Sequence, residues 1–82
     1  MTEYRWDKYQ MQEGGIVEVF KLAQVTPHRV LGFLKKGSEK HQGWYVHVYR
    51  MDAAIARLPH TLTLGEAQDA AKFILLSLKE ST

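Results

Sequence analysis

The chain has 82 residues, 45% hydrophobic and 24% charged, with no cysteine and a formal net charge of +2. Such a length and composition fit one globular domain over residues 1–82 with a single small core. They exclude a disulfide scaffold and a thiolate metal site. The first ten residues hold no apolar targeting core, and no apolar run nears the roughly 20 residues of a membrane span, so the expectation is a cytoplasmic protein without membrane contact.

Charge is unevenly placed. Residues 1–20 set Arg5 and Lys8 against Glu3, Asp7, Glu13 and Glu18, a balance of −2. Residues 21–57 set Lys21, Arg29, Lys35, Lys36, Lys40, Arg50 and Arg57 against Glu39 and Asp52, a balance of +5. Residues 58–82 return to −1. A basic middle between mildly acidic ends points to an anionic partner.

In chain order, residues 4–11 alternate loosely as a strand, and Glu13-Gly14-Gly15 supplies a turn. Residues 16–25 read as the second arm of this hairpin. Ile16, Val19, Phe20 and Ala23 also fit a helical stripe, but three β-branched residues within positions 16–19 favour a strand. Thr26-Pro27 ends the segment. The apolar run Val30-Leu31-Gly32-Phe33-Leu34 reads as a buried strand, and residues 37–43 form a polar connector with two glycines. Residues 44–50 form the next strand, with Trp44, Val46 and Val48 on a core face and Tyr45, His47 and Tyr49 on an amphipathic one. Residues 52–58 fit either a helical turn or an edge strand.

Thr63-Leu64-Gly65-Glu66 has the form of a capping box, predicting a helix over about residues 64–79. Leu64, Ala67, Ala71, Ile74, Leu75 and Leu78 make its core stripe. Phe73 and Leu76 fall off that stripe and predict an apolar patch on the outward side, a candidate partner interface or homodimer contact. The expected fold is α+β: a small antiparallel sheet of three to four strands with one C-terminal α-helix packed on one face.

From Val30 onward, this order of strand, histidine-bearing loop, WYVHVYR and EAQDAAKFILLSL resembles the plan of double-stranded-RNA-binding domains. The resemblance covers roughly the last 50 residues. It places Glu66, Ala67, Gln68, Asp69, Ala70, Ala71, Leu75 and Leu78 against that family's last helix, with Glu66 and Asp69 where the family carries phosphate-holding lysines. It also requires the family's first helix to lie in the segment read here as a strand. The strand–strand–helix plan is similar to that of HicB-like antitoxins and of the DNA-binding arms of phage integrases. The resemblance implies a sheet-and-helix sandwich and, more distantly, RNA binding.

No residues suggest catalysis or a cofactor. Ser38, Ser77 and Ser81 have no histidine and carboxylate arrayed around them, and His28, His41, His47 and His60 show no metal-ligand spacing. The expectation is a non-enzymatic accessory or regulatory protein, of the size common among phage-encoded proteins, that contacts nucleic acid or a nucleoprotein complex. The contact residues expected are Lys35, Lys36, Lys40, His41, Tyr45, Tyr49 and Arg50: cations for phosphates and rings for bases. The alternative is a protein-binding inhibitor or adaptor, for example of the anti-CRISPR type, acting through Phe73, Leu76 and a sheet edge.

Overall fold

A computed structural model describes residues 2–9, 16–51 and 53–80. The turn expected at residues 13–15 lies outside this range, as do residue 11 at the end of the first expected strand and residue 52. Five strands follow one another in sequence: β1 (Tyr4–Tyr9), β2 (Ile16–Gln24), β3 (Arg29–Gly37), β4 (Trp44–Val48) and β5 (Ala56–Leu58). They form one antiparallel meander in the order β1-β2-β3-β4-β5. The helix α1 (Leu64–Glu80) follows and packs across β3 and β4. The fold is therefore a small α+β unit with five strands rather than three or four. The added strand is β5, whose three residues are too few to show a period in sequence.

The segment at 16–25, which also fits a helical stripe, forms a strand: β2 pairs with β3 from Ile16 to Gln24 and with β1 from Val19 to Gln24. Its β-branched residues suit a pleated surface flanked on both sides. A helix is what the double-stranded-RNA-binding plan would need here, so this chain departs from that plan.

Strand alternation sorts the sheet into two faces. Phe20, Leu22, Leu34, Trp44 and Val46 project under the helix and are buried with Ala67, Ala71 and Leu75. Tyr4, Trp6, Val48, Ala56 and Leu58 extend this core on either side. Leu31 joins through an irregularity. Leu22 pairs with Gly32 and Ala23 with Val30, which leaves Leu31 as an extra residue on β3. The bulge brings Leu31 into the core beside a position of the same face. Gly32 lets the helix settle on bare backbone: a Cβ there would strike the His47 carbonyl and come within 2.8 Å of Leu75 Cδ2.

The helix starts where the capping box requires. The Glu66 amide donates to Thr63 Oγ1 at 3.2 Å, and the Thr63 amide donates to Glu66 Oε1 at 2.9 Å. Its core contact is narrower than the stripe: Ala67, Ala71 and Leu75 are buried, Ile74 is half-buried, and Leu64 and Leu78 are exposed. Small alanines over β3 and β4 bring the helix close at its middle. Trp44 Nε1 donates to the Leu62 carbonyl at 3.2 Å and holds the segment leading into the helix. No helix among the described residues is long and apolar enough to cross a membrane.

Candidate functional site

The other face of the sheet carries Arg5, Asp7 and Tyr9 on β1, Val19, Lys21 and Ala23 on β2, Phe33 and Lys35 on β3, Tyr45 and His47 on β4, and Arg57 on β5. No described helix packs over it. Cross-strand register places Lys21 opposite both Asp7 and Phe33, Lys35 opposite Val19 and Tyr45, and Arg57 opposite Tyr45. Val19, between Tyr9 and Lys35 in register, is only 1% exposed, and Ala23 is also buried. The larger side chains thus lie over a floor of small apolar residues.

Two features define this face. The first is a row of rings across the strands. Phe33 meets Tyr9 edge-on at 6.1 Å between centroids and Tyr49, just past β4, at 6.4 Å. Phe33 is half-buried, and the flanking tyrosines are 48% and 43% exposed. The second is cations beside the rings. The Arg57 guanidinium lies 5.7 Å from the Tyr45 ring and that of Arg50 lies 5.3 Å from the Tyr49 ring. Arg50 takes this place with a left-handed backbone, φ 69°, a conformation uncommon outside glycine. Asp7 is the one carboxylate at the described strand positions of the face, and it is paired with Arg5 at 2.9 Å. Four strand cations, Arg5, Lys21, Lys35 and Arg57, leave the face with a balance of +3.

His47 sits among these groups, opposite Phe33 and between Tyr45 and Tyr49 on the chain. Burial first, and the Lys35 charge second, hold its pKa below the ordinary histidine value of 6.5. Its Nδ1 is buried with no hydrogen-bond partner among the described residues. The positive charge of the face therefore comes from lysine and arginine at neutral pH.

The seven residues expected as a nucleic-acid contact divide three ways. Lys35 and Tyr45 are a cross-strand pair on the uncovered face, and Tyr49 with Arg50 closes one end of the ring row. Lys36 is on the helix face, 5.4 Å from the Trp44 ring, because neighbours on a strand point to opposite sides. Lys40 and His41 are exposed in a 3-10 turn at Glu39–His41 that caps the β3–β4 hairpin. This loop is held shut: Gly37 N donates to the Gly43 carbonyl at 3.0 Å, Tyr45 Oη to the His41 carbonyl at 3.1 Å, and the Arg57 guanidinium to the Gln42 carbonyl. Sequence reasoning missed Tyr9, Lys21, Phe33 and Arg57 as members of the face. Phe33 was hidden in an apolar run, although its alternation with Lys35 marks the same side.

The expected outward pair on α1 is not a pair. Phe73 is 74% exposed, whereas Leu76 is half-buried and packs against the core. The sheet edge reaches round the helix on that side: Lys72 and Lys79 each lie 5.5 Å from the ring of Tyr4. Beside the C-terminal half of α1 runs an open groove of about 820 Å³, lined by Leu31, Val48, Met51, Ile55, Leu75 and Leu78 among others. No three His, Asp or Glu side chains among the described residues could hold a metal ion together. Among known proteins, the chain matches no family model, no curated protein and no solved structure.

Proposed function

We propose that this is a non-enzymatic, cytoplasmic accessory protein that binds nucleic acid, free or within a nucleoprotein complex, through the uncovered sheet face. One observation carries this reading: cations and rings share the sheet face that no described helix covers, and the one carboxylate at its described strand positions is already paired. Lysine and arginine neutralise phosphates, and rings offer faces to bases. The basic hairpin of the sequence reading is kept in part. Lys35 and Tyr45 belong to the contact, Lys40 and His41 border it, and Lys36 does not contribute from its side of the sheet.

The test is binding of the full chain to labelled single- and double-stranded DNA and RNA at about 50 and 200 mM salt. Micromolar binding that weakens steeply with salt is expected. The double variant Lys21→Glu/Lys35→Glu should abolish it, while Lys36→Glu should reduce it only through the general loss of charge. Salt-independent binding, or none, would remove this reading.

A second reading rests on Phe73. A phenylalanine 74% exposed on a helix suits a protein contact, including a homodimer. Sedimentation of the wild-type chain and of Phe73→Glu reads that contact directly.

A further inference from the structure

We infer that the uncovered face takes single-stranded rather than duplex nucleic acid, with unstacked bases lying on the Tyr9–Phe33–Tyr49 row and phosphates over Lys21, Lys35 and Arg57. The inference rests on the nucleic-acid reading above and narrows it to one substrate class.

Ring spacing decides between the two. Centroids along the row are 6.1 and 6.4 Å apart, nearly twice the about 3.4 Å between successive nucleotides of a duplex strand. Bases inside a duplex are closed above and below by their neighbours and show a protein only their edges in the grooves. A row of rings on a sheet offers such edges little. An extended strand has its bases apart, and each then presents a face that a ring can cover, whatever the base.

The cations are placed for a backbone passing the same row. Lys21 is in register with Phe33 from the β2 side, between the strands that carry Tyr9 and Phe33. Lys35 follows Phe33 by two residues on the same face, and Arg57 flanks Tyr45 at the β5 edge. Positive groups therefore alternate with rings from β1 to β5. No Asn or Gln, the side chains that pair with adenine in a groove, stands at the described strand positions of this face, and a ring covers a base by its face whatever the base. Binding should accordingly be tolerant of sequence.

The test uses the full chain and two labelled probes, a thymidine oligomer of about 15 nucleotides and a mixed-sequence duplex of the same length. At about 50 mM salt the single strand should bind at least roughly 10-fold more tightly. Tyr49→Ala should weaken single-strand binding roughly 5- to 100-fold with little change in salt slope, and Tyr49→Phe should restore it, since the ring and not the hydroxyl is required. Lys35→Ala should instead lower the salt slope by about 0.7. Tyr49 is exposed enough for truncation to leave the core intact, and Tyr9→Ala repeats the test at the other end of the row. If the duplex binds as tightly and both tyrosine variants are inert, the single-strand inference fails while nucleic-acid binding stands. If neither probe binds, both fall.

Discussion

The Lys79 ammonium donates to Gln24 Oε1 at 2.8 Å, joining the last turn of α1 to the end of β2 across 55 positions of sequence. The carboxamide's other end donates to the carbonyls of Pro27 at 3.0 Å and Thr26 at 3.4 Å. Gln24 is the one buried polar side chain in the described core, and both of its ends are satisfied. It ties a helix terminus and a strand turn to the same point.

Gln24→Ala should therefore destabilise the fold by about 1–3 kcal/mol, because two carbonyls and an ammonium lose a partner in a half-dry setting. Urea denaturation measures this as a lower midpoint with an unchanged slope. An unchanged midpoint would mean that water replaces the carboxamide without loss.

The capping box has a pH signature. Hydrogen bonds from the Thr63 amide and hydroxyl hold the Glu66 carboxyl below its ordinary pKa. A carboxyl depressed on folding adds stability that is complete above its unfolded pKa and disappears as pH falls through the lower folded value. The gap in melting temperature between wild type and Glu66→Ala should be widest at neutral pH and narrow on acidification below about pH 4, whereas Thr63→Ala, which keeps the amide donor and loses the hydroxyl acceptor, should stay below wild type throughout. At neutral pH, loss of the Thr63 cap should cost about 1 kcal/mol.

His47 acts in a different window. Its pKa is depressed by burial and by Lys35, so between the folded value and the unfolded value of about 6.5 the unfolded chain binds the extra proton. Stability should decline as pH falls through this window and level off below the folded value. Stability curves for His47→Gln should be flatter over the same range. Lys35→Ala, which removes the smaller of the two causes, should raise the folded value slightly, so that the decline is a little shallower and levels off at a slightly higher pH.

Phe73→Glu should leave stability within about 0.5 kcal/mol of wild type, as expected for a substitution on an exposed position. A loss of several kcal/mol on thermal melting would show that Phe73 is covered in solution by its own chain. Leu76→Glu, by contrast, should be clearly destabilising, since it places a charge against the core.

Elements whose signals are local were legible in the chain. The helix and its start were legible because a cap and a 3.6-residue period lie within a few turns of chain. The division of β4 into a buried Trp44–Val46 side and a Tyr45–His47 side was legible because alternation is a property of one strand. Parity also sets Lys35 and Lys36 on opposite sides of β3, a signal that the expectation of one shared contact passed over.

How those elements meet depends on contacts between segments far apart in the chain. Which face of the sheet the helix covers, and hence which rings stay open, depends on where Leu75 finds bare backbone at Gly32. Phe33 comes beside Tyr9 and Tyr49 through pairings 24 and 16 positions apart, set by register across three strand pairs. One bulge at Leu31 shifts the far end of that register and carries a residue from one face to the other. Leu76 is half-buried on the side of the helix where Lys72 and Lys79 meet Tyr4 of β1, a neighbour that no helical wheel contains. A period describes how a segment relates to itself; turn lengths, bulges and close contacts decide which segments become its neighbours, and these are fixed only when the whole sheet closes on the helix.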